Sequence, residues 1–264
     1  MYLTVKPIWR DEVCVILAGG PSLRNIESFG PQLKMCQNFI TINDSWRLLP
    51  SNIKAVNYFC DSSWWSMQLQ KNPRSIDGHR SFHEMIYSGF WITIDPGFFD
   101  HPQVHFLKST GQRGLELDPS CLRHGSNSGY QAINLAVHLG AKKIVLLGYD
   151  MKVVGYQTNW HKEPRAEAKA YERCIQQSML PHFPSLVQPL KDLGVEVINA
   201  NPESELTCFT RTTLEDALRY LQPGYAAPGS NLETEIEGRT AQQEKSSNVP
   251  APLVWEGEME NWRS

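Results

Sequence analysis

From residue 12 onward, short runs of β-branched and aliphatic residues alternate with longer stretches that are polar or apolar at helical spacing. The runs "VCVILA" (13–18), "FITIN" (39–43), "KAVNYFC" (54–60), "FWITI" (90–94), "VHFL" (104–107), "KIVLLG" (143–148) and "VEVINA" (195–200) predict strands. Several are almost continuous Val, Ile and Leu, as expected of parallel strands buried on both faces. Strands separated by helix-length segments predict an α/β fold: a Rossmann-like, mostly parallel sheet with helices on both faces. The clearest helix runs from Asn127 or Ser128 to Leu139, with "GSNS" supplying capping residues at its start and Gly140 a left-handed stop. A second helical region, about 165–193, contains Pro181, Pro184 and Pro189, which predict a break into two pieces and an exposed loop.

After Leu221 the pattern fades into a segment rich in Pro, Gly, Ser, Glu and Gln, which lacks the apolar surface to offset its ordering entropy. The sequence therefore predicts one α/β nucleotide-binding catalytic domain over 1–221 and a disordered, flexible tail over 222–264, ending in "LVWEGEMENW". That ending reads as a frayed terminus or a short docking peptide.

Composition narrows the class. The 264 residues are 41% hydrophobic and 20% charged, the balance of a soluble globular protein, and no apolar run reaches the roughly 18 residues of a membrane span. "MYLTVKPIWRDE" has no apolar core behind a basic start, which predicts no signal peptide and a cytoplasmic location. The six cysteines, Cys14, Cys36, Cys60, Cys121, Cys174 and Cys208, form no C-x-x-C pair and read as reduced, buried thiols. A net charge of −3 argues against a general grip on nucleic acid.

Candidate chemistry gathers at the predicted strand ends. "AGGPSLRN" (18–25) follows the first strand with Gly19 and Gly20, then Pro21 pre-set for a helical turn and the Ser22 hydroxyl. This suits an anion at a helix start, although a bare βα turn has the same spacing. "HGSNSGYQ" (124–131) brings Ser126, Asn127, Ser128 and Gly129 to a second helix start, more polar groups than one cap requires. Asn43 and Asp44 end the second strand, Asp61 and Ser62 the third, and Tyr149 and Asp150 the sixth, at the edge where open α/β sheets bind ligands. Trp46, Trp64 and Trp65 follow two of these ends and could stack on a base or sugar, or fill the core. His161 in "TNWHKEP" and His182 in "LPHFPS" compete as general base. His79, His83 and Glu84 in "HRSFHE" lack a third metal ligand in a matched element.

In their order, these pieces resemble bacterial sialyltransferases of the Campylobacter type (glycosyltransferase family 42) and the related group that includes archaeal 6-hydroxymethylpterin diphosphokinase. The resemblance is carried by "AGGPSL", by Asn43 at the end of the second strand, by "CDSS" where the family has N-P-S, by "SGYQAINLAVHLGAKKIVLLGYD" (128–150) and by "VINANPES", and it spans 13 to about 209. It implies a nucleotide phosphate near Gly20, Pro21, Ser22 and the Ser128–Gly129 helix start, with Asn127 beside it. It also implies nucleotide or donor-sugar contacts at Asn43 and Asp61, and a ribose near Asp150. A similar pattern with "W-H" after "GxD" in phage-encoded proteins favours His161 as the base.

The resemblance thus implies a glycosyltransferase that takes a CMP- or UDP-linked sugar to an unidentified acceptor hydroxyl, with no required cofactor. Asp61 replaces the family's Asn. With Asp44 it could hold Mg²⁺ against a diphosphate, so a diphosphokinase acting on a small hydroxymethyl acceptor is the alternative. A non-catalytic nucleotide-binding protein acting through its tail is a third reading. No membrane partner is expected, and a homo-oligomer is possible.

Overall fold

A computed structural model describes residues 2–29, 33–50, 52–70, 82–161 and 168–219. Ten strands are described: β1 Val13–Leu17, β2 Phe39–Ile42, β3 Val56–Tyr58, β4 Phe90–Thr93, β5 Val104–Phe106, β6 Lys108–Gly111, β7 Cys121–Arg123, β8 Lys143–Leu147, β9 Glu196–Asn199 and β10 Thr210–Arg211. Eight form one parallel sheet in the order β10-β9-β8-β1-β2-β3-β4-β5, and β6 pairs with β7 separately. Cys14 to Leu17 and Ile144 to Leu147 are each no more than 1% exposed. Because successive strand residues point to opposite faces, such runs mean that the sheet is covered on both.

The chain steps outward from β1 to β5 and then returns to lay β8 on the other side of β1. Connections leave β1 and β8 in opposite directions. This is the switch point at which an open α/β sheet forms a crevice beyond its carboxyl edge.

Among the described residues six α-helices accompany the sheet: α1 Ser62–Gln70, α2 Phe82–Ser88, α3 Ser128–His138, α4 Ala168–Cys174, α5 Pro184–Asp192 and α6 Leu214–Arg219. Helix α3 packs on β1, β2 and β7 and is buried along most of its length. Asn127 caps its start. Its end is closed by Gly140 at φ +95°, where the N–H of Ala141 reaches back to the carbonyl of Ala136 at 3.1 Å.

The region over 165–193 departs from expectation in detail. Within the described residues, α4 runs into a π-helical turn, Ile175–Met179, then a 3₁₀ turn, Leu180–His182, and α5. Pro181 and Pro184 sit at the starts of the last two elements, where a missing N–H costs little. Pro189 lies inside α5 without ending it, because the helix is short and closes on the Pro189 carbonyl through the N–H of Leu193.

Trp46, Trp64 and Trp65 are 3–6% exposed and belong to an aromatic core cluster with Phe59, Phe82, Trp91 and Phe98. Phe59 stacks on Trp65 at 4.8 Å, and Trp65 meets Trp91 edge-on at 5.5 Å. Of the two roles open to these tryptophans the core role is the one seen, with Trp64 and Trp65 on α1 and Trp46 in the 3₁₀ turn Asn43–Leu48, although Trp64 also borders the cleft. The cysteines carry no disulfide; Cys14, Cys36 and Cys121 are buried, Cys60 and Cys208 are half-buried, and Cys174 is exposed. Among the described residues no helix is long and apolar enough to cross a membrane. The sheet belongs to the compact unit Met1–Tyr225. The expected tail over 222–264 and His79 lie outside the described residues.

Candidate functional site

A cleft of about 920 Å³ opens at the carboxyl ends of β1, β2, β3, β4 and β8. It is lined by Gly19, Gly20, Pro21, Asn43, Asp44, Asp61, Ser126, Asn127, Ser128, Gly129, Tyr149, Asp150 and His161. The fold thus brings most of the sequence candidates, spread over more than half the chain, to one place. Ser22, Ser62 and His182 are not part of the lining. Three of its residues, Asn43 (φ +53°), Ser126 (φ +53°) and Met151 (φ +51°), are non-glycine residues held in left-handed backbone. Strain of this kind persists where the surrounding structure fixes it, commonly at functional sites.

The turn after β1 receives an anion from the protein itself. The backbone N–H of Ser22 donates to Asp150 Oδ1 at 3.0 Å, and the Ser22 hydroxyl donates to Oδ2 at 2.7 Å. A Cβ on Gly20 would lie 1.9 Å from Asp150 Oδ2 and 2.4 Å from the carbonyl of Gly148, so this glycine admits the carboxylate and the neighbouring loop. Burial pushes the Asp150 carboxyl pKa up, and the Ser22 bonds oppose that shift. In this structure Ser22 therefore has its donors on Asp150 and not on a phosphate, and Asp150 accepts from Ser22 at both oxygens.

The second helix start is organised differently. Asn127 Oδ1 accepts from the N–H groups of Gly129 (2.7 Å) and Tyr130 (3.2 Å). Tyr149, 2% exposed, donates to the carbonyl of Gly129 at 3.0 Å. Its ring leaves no room for a Cβ on Gly129, which would come within 2.7 Å of it. With Asn127 as the cap, the hydroxyls of Ser126 and Ser128 line the cleft and have no partner among the described residues. Here the excess of polar groups noted in the sequence remains free for a ligand. Lys152 lines the same cleft.

Asp44 anchors the opposite wall. Its Oδ2 accepts from Trp64 Nε1 at 3.0 Å and its Oδ1 from Gln68 Nε2 at 3.1 Å, with Arg47 at 3.5 Å. His161 Nε2 lies 3.3 Å from Asp44 Oδ2, close enough for an ion pair but without the alignment of a hydrogen bond. Burial alone would raise the pKa of Asp44. The His161 ring, the Trp64 N–H and the Arg47 guanidinium outweigh it and hold the carboxyl well below the usual carboxylate range. Of the two candidate bases, His161 alone lines the cleft. His182 is 9% exposed, and burial, with Arg113 and His124 nearby, keeps its pKa low.

The donor set around Asp44 and Asp61 does not fit Mg²⁺. A hard cation requires free carboxylate oxygens, and both oxygens of Asp44 already face N–H donors and a guanidinium. Asp61 Oδ1 accepts from the N–H of Ser63 at 2.8 Å and so caps α1, while the N–H of Ser62 goes to Asp95 Oδ2 at 3.0 Å. Among the described residues no three His, Cys, Asp or Glu side chains gather as metal ligands.

Sequence reasoning missed Gln68, Arg47, Trp160 and Lys152 at this site. Gln68 stands one helical turn after Trp64 on the buried face of α1, and that spacing could have exposed it. Trp160 sits in a loop without periodicity, and the "W-H" pattern there was read for His161 alone.

The fold and cleft define a parallel α/β protein with a ligand crevice at its switch point. Comparisons with protein-family models, with curated proteins and with solved structures found no match.

Proposed function

We propose that this chain is a nucleotide-sugar-dependent glycosyltransferase. The observation that carries the reading is the contact of His161 with Asp44 in the cleft that the capped start of α3 also lines. The donor phosphate would rest at that helix start, on the Ser126 and Ser128 hydroxyls, with Lys152 adding positive charge. His161, held against Asp44, takes the proton of an acceptor hydroxyl. The acceptor oxygen forms a bond to the anomeric carbon in line with the departing phosphate oxygen. That C–O bond breaks, and the nucleotide leaves carrying the electron pair. The poor fit of Asp44 and Asp61 to Mg²⁺ favours this reading over diphosphate transfer.

A thermal-shift series with CMP, UDP, GDP and ATP, each with and without Mg²⁺, tests it. A pyrimidine nucleotide at 100 times its Kd should add about 2.7 kcal/mol of stability, and EDTA should leave that gain intact. Stabilisation by ATP alone, lost on EDTA treatment, would sink the reading.

A further inference from the structure

Three buried polar atoms of cleft residues have no hydrogen-bond partner, Asn43 Oδ1, Trp160 Nε1 and His161 Nδ1, while His161 Nε2 lies against Asp44. All three residues line the cleft. A buried polar atom left without a partner is costly, so a cluster of them points to something that completes it.

The chemistry of the three atoms selects the occupant. An indole N–H can only donate, a carboxamide oxygen can only accept, and an imidazole nitrogen does one or the other. The matching group must therefore give and take hydrogen bonds at neighbouring atoms. Sugar hydroxyls do both. A phosphate or carboxylate only accepts, and would place lone pairs against Asn43 Oδ1.

Trp160 is well held for such a role. Its backbone N–H donates to the carbonyl of Gly19 at 3.0 Å, its carbonyl accepts from Arg24 Nε at 3.4 Å, and its ring meets His161 edge-on at 4.8 Å. The indole N–H is thus fixed beside the candidate base by the turn after β1.

We propose that Trp160, with Asn43 of the same cleft, is a specificity-determining residue that reads the hydroxyl groups of an uncharged sugar acceptor beside His161. The proposal rests on the transferase reading for its role, but its binding chemistry can be measured separately. The three atoms are buried in this structure, so a sugar reaches them only where the 158–161 loop gives way.

The test is the indole ¹H–¹⁵N spectrum of the full chain, whose eight tryptophans give separable signals. Trp160→Phe identifies the Trp160 signal and retains an aromatic ring. Titration with methyl glucopyranoside and methyl galactopyranoside should move that signal in the wild-type chain. In Trp160→Phe, glycoside affinity read from the remaining signals should fall about tenfold, while the thermal shift with nucleotide stays unchanged. A Trp160 signal that ignores saturating glycosides, or that answers to inorganic phosphate alone, overturns the proposal. Because the wild-type titration does not depend on the variant folding, either result is decisive. If glycosides move the signal but no nucleotide binds, the transferase reading fails and the hydroxyl site stands.

Discussion

Ser22 and Asp150, 128 positions apart, are joined by two hydrogen bonds that close the turn after β1 onto the end of β8. The arrangement gives the first helix start an anion of its own. A strand, two glycines and a serine have the same spacing whether the approaching oxygens belong to a phosphate or to a distant aspartate. The distinction matters for function, because it leaves α3 as the helix start with hydroxyls still free in the cleft.

Gly20→Ala tests this closure. The new methyl group would meet Asp150 Oδ2 and the Gly148 carbonyl inside contact distance, and neither can withdraw without breaking the β1–β8 junction. Overpacking at a fixed backbone should cost about 3 kcal/mol. A fall in the urea midpoint at unchanged slope checks it; wild-type stability would show that the junction is loose.

Asn127→Ala removes the cap of α3 and should destabilise the chain by about 1 kcal/mol, whereas Asn127→Ser should retain most of that contribution, since serine also caps well. Thermal melts of the two variants compare them directly. Equal losses would mean that the contact of Asn127 Nδ2 with Met179 Sδ at 3.3 Å outweighs the cap.

The parts of the fold that were legible in the sequence are those fixed by burial. β1, β2 and β8 are mostly apolar because both sheet faces are covered, and α3 declares itself through its cap and Gly140. β6, β7 and β10 went unread. β6 is "KSTG" and largely exposed, β10 has two exposed residues, and neither has a hydrophobic pattern to detect. Their pairing depends on context: Asn134 and His138 of α3 bond to the carbonyls of Glu116 and Cys121 and hold this region in place. Strand ends pointed to Asn43, Asp44 and Asp150, which the fold brings to the cleft, since a βα connection must turn there. Their partners were hidden, because the carboxylate of Asp44 is satisfied by a helix and a loop that only tertiary folding brings together.

Asp44 makes stability depend on acid in a defined direction. Its folded-state pKa lies below its unfolded value of about 3.9, so its contribution is complete above that value and drains away as pH falls toward the folded pKa. Asp44→Asn should cost about 3 kcal/mol at pH 6, as for a broken buried ion pair. The gap between variant and wild type should narrow below about pH 4. Urea unfolding of both proteins from pH 3 to pH 7 measures the gap; a constant difference across that range would refute the assignment.

The two histidines give the sharpest division between function and framework. His161 lines the cleft beside Asp44, while His182 lies outside it, with its backbone carbonyl accepting from Ser185 at 2.6 Å. If the proposed function holds, His161→Ala should lower sugar transfer by about 10²–10⁴, the range for loss of a general base, and leave nucleotide binding intact, because the proposed phosphate position is at α3. His182→Ala should leave transfer unchanged and lower the melting temperature, since it empties a buried position. Transfer and melting measured on both variants decide the matter. If His182→Ala lost transfer while remaining folded, and His161→Ala did not, the catalytic assignment would have to move out of this cleft.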